Sequence, residues 1–156
     1  MTLADHTVVG EVGFAAWKSS DAFKGVDLAS DVIERTAKAY EIFAGETKGD
    51  VWIAELDGKI AGWCARDGAP NYISDLWVLP DCQGRGIGKA LILDAIARIK
   101  AEGHLTAIIH THGSNAGAIR LYQRCGFVIV WRGIEYSKSM GIDLEKVHLE
   151  QFLTWS

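Results

Sequence analysis

Hydrophobic and polar positions change their period along the chain, and each change predicts a new element. In the first third, apolar residues recur at helical spacing over residues 8–18 and 30–45, which predicts two helices. The period then changes, and strand-like runs follow at residues 50–56 and 59–66. An Asp-Gly pair at 57–58 separates these runs, and such a pair between strand-like segments is a strong hairpin signal.

The second half of the chain switches between the two periods in shorter segments. Strands are predicted over 72–79, 105–111, 127–132 and 146–152, and helices over 86–102 and 115–125. Since strands and helices interleave without a linker or repeat, the pattern predicts one α/β (α+β) domain with a mixed sheet over residues 1–156.

Composition and charge narrow the classes of function. The chain has 156 residues, of which 49% are hydrophobic and 23% charged, as expected of a globular domain. A net charge of −4 without a basic block argues against nucleic acid as a partner. No run approaches the roughly 18 apolar residues of a membrane span, and no signal peptide is apparent. The three cysteines lack CxxC spacing, so we expect reduced thiols and a cytoplasmic protein.

A glycine-rich segment separates the predicted strand 72–79 from the helix 86–102. It reads PDCQGRGIGKAL, residues 80–91. Glycine in regular structure costs roughly 0.5–1 kcal/mol relative to alanine, so three glycines this close indicate that something approaches the backbone. Free N–H groups and the dipole at a helix N-terminus favour an anion there. The segment does not match the dinucleotide-binding motif, because Lys89 occupies the position of its third glycine. It does not match the P-loop motif either, because the residues which that motif requires before and after its Gly-Lys pair are absent.

Two motifs resemble those of the GCN5-related N-acetyltransferases (GNAT). Gln-x-x-Gly-x-Gly at 83–88, directly after LWVLP, resembles the family's acyl-CoA-binding segment. SNAGAIRLYQRCGF at 114–127 resembles the later motif, in which Asn precedes a helix that carries Leu-Tyr and ends at Gly-Phe. The resemblance covers roughly residues 51–132. It implies a mixed, mostly antiparallel sheet with helices on both faces.

The resemblance also implies acetyl-CoA as cosubstrate and no metal. The backbone of the glycine segment would surround the pyrophosphate, and its two cations would add positive charge. The residues concerned are Gln83, Gly84, Arg85, Gly86, Ile87, Gly88 and Lys89. The preceding strand would diverge from its neighbour, so that the main chain of Leu76, Trp77 and Val78 pairs with the pantetheine arm.

Asn115 and Tyr122 each have a structural and a functional interpretation. Asn115 suits the N-cap of the last helix, and the family places a cofactor-binding amide at this position. Tyr122 lies on an apolar helical stripe, whereas the family places there the acid for the departing thiolate. On reference pKa values full proton transfer is uphill by about 2 kcal/mol, so we expect Tyr122 to donate a hydrogen bond to the sulfur.

Asp75 and His110 are the two candidates for the base that accepts the proton of the amine. Asp75 lies on the strand before the glycine segment, and His110 ends the strand before Asn115. We expect His110 to take the proton, because an unperturbed imidazole titrates near the working pH. His110 and His112 would also suit a metal, but no third ligand lies nearby in the sequence, so no metal is expected.

The sequence therefore predicts an N-acetyltransferase that moves an acetyl group from acetyl-CoA to a primary amine of a small molecule or peptide by direct attack. The alternative is a non-catalytic acyl-CoA-binding or sensor module, for which the glycine segment would suffice. The acceptor is not identified by the sequence, although four aromatic residues are candidates for lining its pocket: Trp17, Phe23, Tyr136 and Trp155. The oligomeric state is also open, a homodimer included.

Overall fold

A computed structural model describes residues 1–154, and its helices and strands follow the predicted order. The helices are α1 (His6–Lys18), α2 (Ser30–Glu46), α3 (Ile87–Ala101) and α4 (Ala116–Arg124). The strands are β1 (Asp50–Leu56), β2 (Lys59–Arg66), β3 (Tyr72–Val78), β4 (Thr106–His112), β5 (Val128–Ser137) and β6 (Ile142–Phe152). Trp155 lies outside the described residues. None of the helices within residues 1–154 combines the length and the apolar character needed to cross a bilayer.

The strands form one six-stranded sheet in the order β1-β2-β3-β4-β6-β5. Only β3 and β4 pair in parallel, and the other neighbours pair antiparallel, so the predicted mixed and mostly antiparallel sheet is confirmed. The predicted hairpin is present as well. Asp57 and Gly58 both have positive φ, 52° and 78°, as expected of a tight turn whose twist matches that of its strands.

The predicted ends of the last two strands were wrong, because both strands are longer. β5 continues to Ser137 and β6 begins at Ile142, so together they form a long hairpin. β5 is an edge strand, and most of its residues are exposed, among them Ile134 and Tyr136. An exposed edge has little need for alternating burial, which is why the apolar period fades after residue 132 although the pairing continues.

Helices cover both faces of the sheet. α3 and α4 pack on the face that carries Ile73, Ile109 and Leu149, and α1 and α2 pack on the opposite face around Trp63. Gly10 weakens α1 as an isolated helix, but a Cβ there would lie 2.7 Å from the carbonyl oxygen of Tyr40. The glycine therefore allows α1 and α2 to approach each other closely.

β3 and β4 pair only at the first two residues of β3 and then diverge. The register contains Tyr72 opposite Ile108 and Ile73 opposite Ile109, and nothing beyond. The pairing of β2 with β3 also shifts register where β3 passes Ser74, so the side chains that follow change faces. The divergence opens a gap through the sheet, which we call the splay, and the residues of both motifs surround it.

Candidate active site

A cavity of about 680 Å³ lies at the splay. Nearly all of the predicted site residues line it: Asp75, Leu76, Trp77, Val78, Gln83, Gly84, Gly86, Ile87, Gly88, Lys89, His110, Asn115 and Tyr122. Arg85 does not, since its residue is exposed outside the cavity wall. Two motifs that are separated by a helix and a strand therefore meet at one cavity, while the phosphate contact of Arg85 remains a prediction.

The glycine segment forms the N-terminus of α3. Gly86 is the N-cap residue with φ 81°, a left-handed conformation that favours glycine, and no side chain caps the helix. The first N–H groups of α3 are thus left for an anionic ligand. Gly88 serves a different purpose, because a Cβ there would lie 3.3 Å from Leu121 Cδ2 of α4. It lets the two helices come close beside the cavity.

The direction of the β3 backbone decides which main-chain groups face the splay. The N–H of Leu79 donates to the carbonyl of Ala61 next to β2 at 2.8 Å. Since the peptide is planar and trans, the Val78 carbonyl points the other way, and it accepts a hydrogen bond from Gln83 Nε2 at 3.2 Å. By the alternation of a strand, Leu76 also directs its main-chain groups into the splay. The main chain of Trp77 faces β2 instead, so its predicted pairing with a cofactor does not fit, although its side chain lines the cavity.

Tyr122 and Asn115 approach the cavity from α4. Tyr122 is 5% exposed, and its hydroxyl has no hydrogen-bond partner within residues 1–154. Burial raises its pKa, which suits a hydrogen-bond donor better than an acid that releases its proton. Asn115 caps α4, since its Oδ1 accepts from the Ala118 N–H at 3.4 Å and its Nδ2 donates to Thr111 Oγ1. The capping interpretation is confirmed, and the cofactor contact remains a prediction.

Asp75 lies on the α1–α2 face of the sheet. After the register shift in β3, Trp77 packs toward that face, and its Nε1 donates to Asp75 Oδ1 at 3.2 Å. Burial raises the pKa of Asp75 to about 6, and the hydrogen bond from Trp77 opposes that rise in part. The carboxylate is therefore ionised at neutral pH, yet it is more basic than an ordinary aspartate.

His110 lies on the same face but is less basic than its residue type suggests. Its ring stacks on His148 with centroids 3.5 Å apart and planes 8° apart. Burial, and then the charge of His148, lowers the pKa of His110 to about 4. An imidazole of ordinary pKa would be more basic than an ordinary carboxylate, but the structure reverses the order of basicity of His110 and Asp75.

A metal is not favoured by the histidine geometry. One ligand atom each from His110, Glu135 and His148 lies within 4.8 Å of the others. However, a metal binds in the plane of an imidazole, and two parallel planes 3.5 Å apart cannot both contain one ion about 2 Å from each nitrogen. From the sequence only His110 and His112 were weighed as metal ligands. Glu135 of β5 and His148 of β6 were not, because only the strand order brings them to this face.

Several cavity residues were not found by sequence reasoning. Tyr40, Tyr72 and Lys146 line the cavity, and Trp17, an acceptor candidate, lines it as well. Tyr136 is 61% exposed away from the cavity. Phe23 packs between Trp17 and His112, each with ring centroids 5.1 Å from its own. Tyr72 and Lys146 lie on strands at the alternate positions that face away from the α3–α4 core. These alternate positions are visible in the sequence, but they predict cavity residues only once the strand order is known.

Comparison with protein families identifies the fold and its motifs together. The model of the acetyltransferase (GNAT) family matches residues 16–127, which contain both motifs and most of the cavity wall. The chain belongs to the GNAT family. Among curated relatives, the mycothiol acetyltransferase of Streptomyces coelicolor is 33% identical over 81 residues. The match covers 49% of this chain and 26% of that protein, so the chain spans about a quarter of the length of these relatives.

Solved GNAT structures share the fold over nearly the whole chain. A GCN5-related N-acetyltransferase from Rhodopseudomonas palustris superposes with a TM-score of 0.80 at 23% identity, covering 98% of this chain and 92% of that one. The PaiA N-acetyltransferase from Thermoplasma acidophilum, solved in complex with coenzyme A, gives a TM-score of 0.73 at 19% identity, with 98% and 96% covered. At such identities the likeness establishes the fold, and the predicted GNAT architecture is confirmed.

Proposed function

We propose that this chain is an acetyl-CoA-dependent N-acetyltransferase acting on a primary amine of a small molecule or peptide. The observation that carries the proposal is the splay, where main-chain groups of β3 that face away from β2 and a carboxylate of raised pKa line the same cavity. Membership of the GNAT family and the coenzyme A bound to the Thermoplasma acidophilum neighbour support the choice of cosubstrate.

The cosubstrate would enter from the side of α3 and α4. Its pyrophosphate would bind the free N–H groups of the first turn of α3, with Lys89 beside them. The pantetheine arm would lie in the splay against the main-chain groups of Leu76 and Val78, because these face away from β2. In this arrangement the thioester would lie near Tyr122.

The reaction would be a direct transfer without a covalent enzyme intermediate. The lone pair of the amine attacks the carbonyl carbon of the thioester, and the main-chain N–H of Val78 stabilises the charge that develops on oxygen. The carbon–sulfur bond then breaks, and the thiolate leaves with a hydrogen bond from the Tyr122 hydroxyl. The proton that the amine loses passes to Asp75 and from there through solvent to the departed thiolate, so the products are the acetamide and the free thiol of coenzyme A.

We infer that Asp75, not His110, accepts this proton. A base with a pKa of about 6 is favoured over one with a pKa of about 4 by roughly 3 kcal/mol in the proton transfer. The carboxylate also attracts the protonated amine as it enters, which a neutral imidazole does not. His110 would then shape the acceptor side through its ring contacts with Tyr72 and His148.

Two further expectations accompany the proposal. We take residues 1–156 to act as one catalytic domain. We also expect a homodimer in which the second copy covers part of β5.

β5 has exposed apolar residues and an unpaired edge, and a second copy of the chain can cover such a surface. Sedimentation velocity measures the state directly, and a monomer at every concentration would contradict the dimer.

Binding and turnover are measured separately to test the function. At acetyl-CoA 100 times above its Kd, the stabilisation is about 2.7 kcal/mol, which raises Tm by roughly 5–10 °C for a domain of this size. Free-thiol release is then followed with polyamines, aminoglycosides, amino acids and peptide N-termini. Absence of a Tm shift at millimolar acetyl-CoA contradicts the cosubstrate. A shift without thiol release from any amine would favour the sensor module.

A further inference from the structure

The acceptor side of the cavity contains a lysine without an acidic partner. Lys146 of β6 pairs in register with His112 of β4, and both residues line the cavity. Val147 and Leu149 lie in the α3–α4 core, so the side chain of Lys146 is on the opposite face, the face of Asp75. Within residues 1–154 no carboxylate lies within 4.0 Å of its ammonium group. Glu135, on the same face, lies instead 2.8 Å from His148.

His112 adds a second polar group without a protein partner. Its Nδ1 is buried and makes no hydrogen bond within the described residues, while its ring meets Phe23 edge to face. Burial, and then the charge of Lys146, lowers the pKa of His112 to about 4, so the imidazole is neutral at pH 7 and carries one N–H. A buried polar atom is rarely left unpaired, because this costs free energy that a ligand can recover.

The same cavity also contains a carboxylate, whose charge is opposite to that of Lys146. Asp75 lines the same cavity, and the charge of Lys146 lowers its pKa slightly against the dominant effect of burial. A small acceptor that bound only through its ammonium group would satisfy Asp75 and leave Lys146 and His112 without partners. A molecule that carries both charges would satisfy all three.

We propose that the acceptor is an amino-carboxylate, such as a free amino acid, whose carboxylate binds Lys146 and His112 while its amine lies at Asp75. This rests on the proposed function and specifies its substrate class. One ammonium and one neutral N–H suit a monoanion, whereas a phosphate dianion would call for more positive charge. The aromatic side chains of Trp17 and Tyr72 on the cavity wall would face the side chain of the amino acid.

The test compares amino acids with acceptors that lack only the carboxylate charge. The twenty amino acids and their primary amides are screened by thiol release, with phenylalanine, phenylalaninamide and phenethylamine as the matched set. We expect kcat/KM for the preferred amino acid to exceed that for its amide at least tenfold. Lys146→Met should reduce this preference at least tenfold, and Lys146→Arg should retain most of it. Lys138→Met, an exposed lysine of the same hairpin outside the cavity, is the control.

The outcomes separate this proposal from the function on which it rests. If phenethylamine or the amides are acetylated and no amino acid is, the enzyme is an N-acetyltransferase and the amino-carboxylate proposal is wrong. It is also wrong if Lys146→Met reduces the preference less than tenfold while acetyl-CoA still raises Tm. If no amine is acetylated at all, both proposals fail. The change in preference between the parent and each variant cancels the different pKa values of the amines, and the Tm shift shows that each variant is folded.

Discussion

The two ends of the cavity are built in different ways. The proposed cofactor end consists mainly of backbone from one continuous stretch, residues 76–89, with N–H groups of a helix N-terminus and main-chain groups of β3 that face away from β2. The acceptor end consists of side chains, among them Trp17 of α1, Asp75 of β3, His112 of β4 and Lys146 of β6. A site made of backbone is fixed by local chain geometry, whereas a site made of side chains depends on the whole topology.

The two ends also differ electrostatically. At the cofactor end the residues are largely exposed, and charge is supplied by a helix N-terminus and by Lys89. At the acceptor end burial dominates, and it moves the pKa of Asp75 up and the pKa values of His110 and His112 down. The cofactor end is thus suited to holding a highly charged ligand, and the acceptor end to changing the basicity of groups that handle a proton.

The largest effect is expected from Gly86→Val at the cofactor end. Gly86 has φ 81°, and a Cβ there would meet no protein atom within 4 Å, so the branched side chain would block the ligand without a clash inside the protein. We expect acetyl-CoA binding to weaken by at least about 10²-fold. Isothermal titration calorimetry measures the change in Kd.

Gly103→Val is the matched control for the cost of the backbone conformation. Gly103 follows the other end of α3, has φ 89° and also has no atom within 4 Å of an added Cβ. Both variants should lose similar stability, and only Gly86→Val should lose binding. Equal Kd values for the two variants would show that the pyrophosphate binds elsewhere.

The difference between the two ends explains how much could be predicted from the sequence. The cofactor end was accessible because a glycine that needs positive φ and a free helix N-terminus leave a local signature, as at Gly86. The order of elements was also correct, since periodicity is local. The ends of β5 and β6 were not, because pairing along an exposed edge leaves little hydrophobic pattern at residues such as Ile134.

The acceptor end could be predicted only in part. Asp75 and His110 were recognised by position along the chain, but the order of their basicity depends on neighbours such as His148 and on burial that no local pattern reveals. Lys146 was missed because its relevance comes from its pairing with His112 across β4 and β6. A site of this kind becomes visible only after strand order and register are known.

At the acceptor end, Asp75→Asn should lower kcat/KM by about 10³-fold, as expected for loss of a general base. In the parent, kcat/KM should fall as the pH drops through about 6, because protonated Asp75 no longer accepts the proton. Trp77 donates a hydrogen bond to the Asp75 carboxylate. The other titratable groups on the same cavity wall include Tyr40, Tyr72, His110 and Lys146. The pH profile is measured with an acceptor whose own pKa lies above this range.

His110→Gln is the comparison for that profile. The pKa of His110 is lowered to about 4, so the imidazole stays neutral through the working range and its loss should leave the limb near pH 6 in place. If the limb persists in Asp75→Asn and disappears in His110→Gln, His110 is the base, as the sequence predicts, and the assignment to Asp75 is wrong.

Tyr122→Phe tests the group between the two ends. The substitution keeps the ring against Phe127 and removes only the hydroxyl. We expect kcat to fall by roughly 10²-fold with the KM for acetyl-CoA nearly unchanged, because the hydrogen bond to sulfur strengthens as the thiolate forms. Tyr136→Phe, at an exposed tyrosine outside the cavity, should leave both constants unchanged. An equal result for the two variants would make Tyr122 a core residue only.

The smallest effect concerns the stability cost of the acceptor end. The pKa of Asp75 rises from 3.8 to about 6 on folding, so the folded state binds the proton more tightly than the unfolded chain does. Stability is then lost as the pH rises from about 4 to about 6, and the loss persists above that range. The shift corresponds to at most about 3 kcal/mol, or about 1–2 kcal/mol once screening by water in the open cavity is included. Asp75→Asn should therefore have a Tm roughly 3–6 °C above that of the parent at pH 7.5 and an equal Tm near pH 4.

Asp143→Asn, which changes an exposed acid on β6, is the control and should show no such pH-dependent difference in Tm. A lower Tm for Asp75→Asn at pH 7.5 would mean that the ionised carboxylate stabilises the fold, and burial would then not be what raises its basicity.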